Sequence, residues 1–378
     1  MFTEYFDPIE EKLIDYINNL NINQIGNKIK INGRDDTDLI ESVDIIIFSI
    51  NEYRFNPHVS KSFCADKDFR RKFYSLFSGD WNLNIFDFGN LRNGSSVSDT
   101  QFAIEQIVEF CIKNQIFIVT IGGSQDLTLN IYNPLKKYLS KVNLVSIDNK
   151  LDFANQNISE DSYLSKIIMD ENSRLNYFSN IGFQKHLNSK EEIELVRKMK
   201  FESLSLGKIK SNLNEAEPIL RDSNLISIDI KSVKSGDINN AHQFPNGLSS
   251  YELCSLSRFA GSSLKSNVVS FFENWDFTIM NSLLAESVWY TIDGFNSRID
   301  ENPLDNVDDF VSYYIEVDNY KFKFFNSLIS DRWWVEFINE EIISIGKNII
   351  SCNSNDYHNC KNSVISERIL TRLKNKIS

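Results

Sequence analysis

The stretch Ile116-Phe117-Ile118-Val119-Thr120-Ile121-Gly122-Gly123-Ser124-Gln125 decides the fold, because an apolar, β-branched run passes directly into a glycine-containing polar turn. Such a run is typical of a parallel strand that is covered on both faces and ends at a sharp turn. Similar runs recur along the chain, with amphipathic stretches between them. The alternation predicts a βαβ chain that folds into a mainly parallel sheet with helices on both faces.

Eight strand candidates follow from this pattern. They lie at residues 43–50, 83–88, 116–121, 142–148, 177–183, 202–206, 225–230 and 267–273. Helices are predicted by the spacing of apolar residues at 7–20, 99–114, 191–200, 249–260 and 281–295. In the second of these helices, Ser98 or Asp99 is the expected N-cap, and Phe102 is expected on the buried stripe. We therefore expect a three-layer α/β/α domain over residues 1–295, with an eight-stranded, mainly parallel sheet.

Beyond about residue 295 the βαβ alternation stops. Residues 308–325 alternate around Asp318-Asn319, which predicts a β-hairpin, and residues 366–376 have the pattern of a basic helix. We expect residues 296–378 to form an appendage packed on the first domain. Arg332, Trp333 and Trp334 have the composition of an interface hot spot. They either pin the appendage onto the main domain or form a docking surface for an unknown protein partner.

Composition excludes several classes of function. Forty Lys and Arg residues against 52 Asp and Glu residues give a net charge of −12, whereas a nucleic-acid-binding surface is cationic. No stretch approaches the roughly 18 apolar residues of a membrane span, and the N-terminal residues lack the pattern of a secretory signal. The five cysteines are scattered, as is typical of reduced thiols. We therefore expect a cytoplasmic protein that binds no nucleic acid.

Open parallel sheets bind ligands at the carboxyl ends of their strands, so the residues directly after the strand candidates are the candidate site. Carboxylates gathered at several strand ends are the ligands that hard cations prefer. The polar side chains at these positions are Gln125, Asp148, Lys150, Asp152, Asp229, Lys231 and Glu273.

These motifs resemble, in the same order, those of the ureohydrolase superfamily, which comprises arginase, agmatinase and formimidoylglutamase. In that family Gly-Gly-Asp-His, Asp-Ala-His-x-Asp and Asp-x-Asp follow the third, fourth and seventh strands. The corresponding segments here begin at Gly122, Asp148 and Asp229. The resemblance implies an arginase-like fold, and a site in which two manganese ions activate a hydroxide that hydrolyses an amidine C–N bond.

The resemblance also identifies the positions that would bind the metals. The family's aspartates are matched by Asp148, Asp152 and Asp229. Gln125 and Lys150 stand where the family has histidines, and Lys231 stands where it has an aspartate. An amide binds Mn²⁺ poorly, and a protonated lysine has no lone pair, so we expect a lost dinuclear site and no cofactor. Our hypothesis is that the two lysines replace the positive charge of the metals beside the aspartates.

Three functions stay open after this comparison. The first is a non-catalytic or strongly divergent family member that acts as a binding or scaffold protein. The alternative is a hydrolase of linear amidines such as arginine, agmatine or formimidoylglutamate, which would need Mn²⁺. A third is a small-ligand sensor, since Glu273 matches the acidic residue that holds the guanidinium in arginase-like enzymes. The family also implies a possible homo-oligomer.

Overall fold

A computed structural model describes residues 2–35, 42–54, 66–153, 162–240, 243–274, 278–338 and 349–377. The strands of the main sheet are β1 (Phe6–Asp7), β2 (Lys30–Ile31), β3 (Ile45–Ile50), β4 (Ile85–Leu91), β5 (Phe117–Ile121), β6 (Val142–Ile147), β7 (Leu175–Phe183), β8 (Glu202–Ser205), β9 (Leu225–Asp229) and β10 (Val268–Phe272). All eight predicted strands are present. The short strands β1 and β2 were not predicted, because a two-residue strand carries no recognisable periodicity.

The main sheet has the strand order β1-β4-β3-β5-β10-β9-β6-β7-β8, and β2 pairs with β4. Its strands are parallel apart from β1, which runs antiparallel to β4. The order makes β5, β10, β9 and β6 consecutive neighbours at the centre of the sheet. The candidate site residues follow these four strands, so the topology brings them to one edge.

Helices cover both faces of the sheet. In chain order they are α1 (Glu11–Asn18), α2 (Ile25–Lys28), α3 (Asp66–Ser75), α4 (Val97–Lys113), α5 (Thr128–Tyr138), α6 (Tyr163–Met169), α7 (Lys190–Lys198), α8 (Leu206–Ser211), α9 (Glu217–Arg221), α10 (Ser235–Ile238), α11 (Ser250–Gly261), α12 (Thr278–Asn296), α13 (Ser354–Lys361) and α14 (Glu367–Ile377). Within β3, Ile45 and Ile47 join one apolar cluster while Ile46 and Phe48 join another. This alternation produces two cores, one on each face, and confirms the predicted three layers.

Helix α4 begins earlier than predicted, and the expected N-cap is wrong. Ser96 is the N-cap: its hydroxyl accepts a hydrogen bond from the Asp99 N–H at 3.2 Å, and the Asp99 carboxylate accepts one from the Ser96 N–H at 2.7 Å. This reciprocal pair is a capping box, so Asp99 lies inside the first turn. The buried stripe therefore includes Ala103 and Ile107, and Phe102 is 57% exposed.

The C-terminal region forms a second, antiparallel sheet. Its strands, in spatial order, are β11 (Phe310–Val317), β12 (Tyr320–Ser327), β13 (Trp333–Ile338) and β14 (Ile349–Cys352). The predicted hairpin is confirmed, because Val317 pairs with Tyr320 across a two-residue turn that includes Asp318 at φ 52°. One face of the sheet builds its own core around Phe322, Phe324 and Val335, all fully buried.

This second sheet and helix α14 dock at the amino-terminal end of the main sheet. Asp222, which lies just before β9, accepts hydrogen bonds from the Ser351 N–H at 3.1 Å and the Ser351 hydroxyl at 2.9 Å. Arg368 of α14 contacts Glu202 at 3.1 Å and Asp222 at 3.6 Å, and the Arg372 guanidinium lies 3.1 Å from the centre of the Tyr177 ring. The C-terminal region therefore lies at the end opposite to the candidate site.

Within the described ranges no helix combines the length and apolar character needed to cross a membrane. Four cysteines in these ranges, Cys111, Cys254, Cys352 and Cys360, are buried free thiols, and Cys64 lies outside the described residues.

Candidate functional site

The turn after β5 is shaped by glycine. Gly122 has φ 90°, and a Cβ at this position would lie 2.5 Å from the carbonyl oxygen of Ile50, so no other residue fits without a shift of the backbone. The Gly122 N–H donates to the Phe271 carbonyl at 2.7 Å, which ties the turn to β10. This geometry directs the Gln125 N–H at the Glu273 carboxylate, 3.2 Å away.

The Gln125 side chain is engaged by the sheet itself. Its Nε2 donates to the hydroxyls of Ser146 on β6 and Ser227 on β9, both at 3.3 Å, and Thr128 hydrogen bonds with Ser227 at 2.9 Å. The sequence analysis did not assign either serine to the candidate site. The signal was present, since each is a serine two residues before the strand-end aspartate.

Asp148 and Asp152 form a pair of carboxyl groups at the end of β6. One oxygen of the buried Asp148, Oδ1, accepts a hydrogen bond from the Lys150 N–H at 2.8 Å, whereas Oδ2 has no donor elsewhere in the described part of the chain. Burial, together with the charges of Asp152 and Asp229, raises the pKa of Asp148 well above its usual range. Burial also raises the pKa of Asp152, although a hydrogen bond with Asp148 opposes this. Burial and the neighbouring carboxyl groups therefore favour the protonated form of Asp148.

Lys231 places an ammonium group between two further carboxylates. Its Nζ lies 3.0 Å from Glu273 Oε2 and 3.8 Å from Asp229 Oδ2. The backbone N–H of Lys231 donates to Asp229 Oδ1 at 2.6 Å. Burial acts to lower the pKa of Lys231, but the two carboxylates raise it above the ordinary value, so the amine stays protonated. Burial raises the pKa of Asp229 to about 7, against the effect of Lys231.

The position of Lys150 differs from what the sequence led us to expect. Its side chain is exposed and makes no ion pair with any described residue, and it acts on Asp152 only through space, lowering the pKa of that carboxyl. The Lys150 backbone N–H donates a hydrogen bond to Asp148 Oδ1. The side chain extends into solvent, where its ammonium group is hydrated. Of the two lysine side chains, only that of Lys231 therefore contacts carboxylates of the candidate site in the described structure.

This donor set does not fit two divalent cations. The Gln125 amide nitrogen is bound to two hydroxyls, and the Lys231 ammonium group lies beside two of the remaining carboxylates, where it would repel a metal. Among the described residues, no group of three or more His, Cys, Asp or Glu side chains is arranged to hold a metal ion. Glu273, the expected guanidinium-binding residue, is already engaged by Lys231 and by the Gln125 N–H.

The candidate partner surface at Arg332, Trp333 and Trp334 lies against the main domain. The Trp334 side chain is buried under the Arg221 guanidinium, 4.2 Å from the ring centre, and Arg221 also donates to the Trp333 carbonyl at 2.8 Å. Arg332 donates to the Ser262 hydroxyl at 3.1 Å and lies 3.4 Å from Glu217. These contacts favour the interpretation that the three residues hold the C-terminal sheet on the main domain.

The fold and the site can now be compared with known proteins. Formiminoglutamase from Trypanosoma cruzi, crystallised with Mn²⁺, is 16% identical, with a TM-score of 0.60 over 68% of this chain and 95% of that chain. Formimidoylglutamase from Bacillus subtilis is 11% identical, with a TM-score of 0.60 over 68% of this chain and 88% of that chain. Proclavaminate amidino hydrolase from Streptomyces clavuligerus is 14% identical, with a TM-score of 0.56 over 68% of this chain and 92% of that chain.

These structural likenesses show the shared fold, and each of them covers 68% of this chain. A comparison with curated protein sequences finds no significant match. The sequence profile of the Arginase family matches residues 64–271, which is more than half of the chain and includes the segments after β5, β6 and β9. The chain therefore belongs to the arginase family.

Proposed function

We propose that this arginase-family protein has lost the dinuclear manganese site and acts as a binding or scaffold protein. The observation that carries the proposal is the ammonium group of Lys231, 3.0 Å from Glu273 and 3.8 Å from Asp229. An internal cation at this point supplies, without a metal, part of the positive charge that buried carboxylates require. The bonds of Gln125 to Ser146 and Ser227 support the same proposal, because they engage a second former ligand position in the core.

The second candidate is hydrolysis of the C–N bond of a linear amidine. It is favoured by Asp148 and Asp152, whose charges no cation contacts directly within the described residues, and by the Mn²⁺ of the Trypanosoma cruzi relative. Against it, three of the six positions that bind metal in the family's motif are substituted here, at Gln125, Lys150 and Lys231. A sensor of guanidinium-like ligands would first have to displace Lys231 from Glu273.

Two further parts of the proposal concern organisation and location. We propose that residues 1–295 form the arginase-like domain and that residues 296–378 form an appendage that provides the binding role. We also place the protein in the cytoplasm, which is consistent with the buried free thiols of the described chain.

Elemental analysis after incubation with excess Mn²⁺ and desalting tests the proposal. We expect close to no manganese in the wild-type protein, because Lys231 repels the ion. Lys231→Asp, which restores the residue type of the family's motif, is the matched variant and should retain more metal than the wild type. About two manganese ions per wild-type chain, with release of urea or formamide from an amidine substrate, would contradict the proposal and establish the hydrolase.

A further inference from the structure

Among the described strands, β11 lies at one edge of the C-terminal sheet, and its outer side pairs with none of them. It pairs with β12, and no other described strand adjoins it. Its eight residues, Phe-Val-Ser-Tyr-Tyr-Ile-Glu-Val, contain no proline and no bulge, and the register with β12 is unbroken. A long, regular edge rich in aromatic and β-branched residues is a template for another strand.

The register fixes which backbone groups are free. The Leu328 N–H donates to the Asp309 carbonyl, which makes Phe310 and Ser327 a pair that does not exchange hydrogen bonds with each other. The alternation along β11 then directs the N–H and C=O groups of Ser312, Tyr314 and Glu316 away from β12. In the described part of the chain, the N–H groups of these three residues make no hydrogen bond.

The side chains around this edge are accessible. Tyr314 is 70% exposed, and Glu316 and Asp318 are exposed as well. The opposite face of β11 is held by the core of the C-terminal sheet, where Tyr313 stacks on Trp333 at 5.7 Å between ring centres. One face of β11 therefore packs in the core of the C-terminal sheet, while the side chains at its outer edge are exposed.

The charge at this edge selects the occupant. Residues 299–320 include seven acidic residues and no Lys, Arg or His. Asp308, Glu316 and Asp318 are exposed along or beside β11, while on the β12 side Lys321 lies opposite Glu316, so the acidic character is carried chiefly by Asp308 and Asp318. A second copy of the chain, paired antiparallel through β11, would bring these like charges together, which is unfavourable across a sheet. An extended segment with basic side chains would meet complementary charge.

We propose that β11 binds an extended, basic segment of a partner protein by strand addition, with hydrogen bonds to Ser312, Tyr314 and Glu316. This inference rests on the proposed binding role and gives that role a surface. It assigns the partner site to the open edge of the C-terminal sheet rather than to Arg332, Trp333 and Trp334, which contact the main domain. Hydrogen bonds between the two backbones supply the affinity, and the acidic residues beside β11 favour a segment with basic side chains.

The test uses the full chain and a labelled octapeptide of alternating Lys and Thr or Val, with binding followed by fluorescence anisotropy. We expect saturable binding, together with slower amide hydrogen exchange over residues 310–317. The matching peptide with Glu in place of Lys should bind at least about tenfold more weakly. Absence of binding by the Lys peptide at millimolar concentration overturns the proposal.

The decisive variant is Tyr314→Pro, which removes one outward N–H and leaves the hydrogen bonds to β12 in place. It should weaken peptide binding at least about tenfold, whereas Tyr314→Thr, which keeps the N–H, should stay within about twofold. If Tyr314→Pro does not fold, a peptide N-methylated along its pairing edge tests the same hydrogen bonds with wild-type protein. Equal binding of methylated and unmethylated peptides contradicts strand addition.

Sedimentation distinguishes the remaining outcome. A concentration-dependent dimer that Tyr314→Pro abolishes would replace the basic partner by a second copy of the chain and overturn the proposal as stated. The peptide experiment is independent of metal content. A chain that binds about two manganese ions and also binds the Lys peptide would refute the proposed loss of catalysis and leave strand addition standing.

Discussion

Asp222 and Asp148 are both buried aspartates at an end of the main sheet, but their surroundings differ. At the amino-terminal end, burial acts to raise the pKa of Asp222, yet Lys265, Arg372 and Arg368 hold it well below its usual range. At the carboxyl end, burial and the charges of Asp152 and Asp229 raise the pKa of Asp148, against a hydrogen bond from the Lys150 backbone N–H. The buried carboxylate at the C-terminal interface is thus stabilised in its charged form by nearby cations, whereas the charged form of Asp148 at the candidate site is disfavoured.

Removing the charge of Asp222 should lower the stability of the protein more than removing the charge of Lys231. Asp222→Asn removes a buried carboxylate that contacts Arg368 and Lys265 and accepts two hydrogen bonds from Ser351, so the free energy of unfolding should fall by about 3 kcal/mol at pH 7, since Glu202 still contacts Arg368. Urea denaturation measures it. Lys265→Met is the matched control, because this partner is 55% exposed, and it should cost at most about 1 kcal/mol. A cost for Asp222→Asn no larger than that of the control would contradict the comparison.

Removing the charge of Lys231 should lower the stability of the protein by an intermediate amount. Lys231→Met leaves Asp229 and Glu273 without their ammonium group, and since the Lys231 side chain is 29% exposed, the cost should be about 1–3 kcal/mol. Lys150→Met is the matched control, which should melt within experimental error of the wild type because its exposed side chain makes no described ion pair. Equal melting temperatures for the wild type and Lys231→Met would refute charge replacement by this lysine.

The smallest change in stability is expected at Asp148, where removing the charge should stabilise the protein. A carboxyl group whose pKa is raised on folding destabilises the protein as pH rises above the pKa of the unfolded chain, which is about 3.9 for aspartate. Asp148→Asn removes this penalty and should stabilise the protein by on the order of 1 kcal/mol at pH 8 but not at pH 4. Urea denaturation at the two pH values, without added metal, measures the difference. A loss of stability at pH 8 would mean that Asp148 is held by interactions resembling those of Asp222.

Much of the main fold could be predicted from the sequence, because its strands are buried on both faces and appear as short apolar runs. Strands β1 and β2 could not, since two residues carry no pattern. The N-cap of α4 was misplaced because Ser96, Ser98 and Asp99 are all residues that cap helices, and only the reciprocal hydrogen bonds identify Ser96.

The candidate site was predictable in position but not in electrostatics. Lys150 and Lys231 each stand two residues after a strand-end aspartate, so their local sequences are alike. Tertiary structure distinguishes them: β9 adjoins β10, whose end presents Glu273 to Lys231, whereas no such carboxylate contacts Lys150 in the described chain. The network at Asp222 was also not predicted, because no local pattern connects it to Arg368.

The contact between Asp222 and Ser351 has a consequence for the order of folding during synthesis. The two residues are 129 positions apart in the chain. At a synthesis rate of about 5–20 residues per second, Asp222 leaves the ribosome on the order of 10 seconds before Ser351 is made. Until then the start of β9 carries a carboxylate without its hydroxyl and guanidinium partners. Asp222, at the amino-terminal end of the arginase-like sheet, therefore gains these partners only after the C-terminal sheet and α14 have been synthesised.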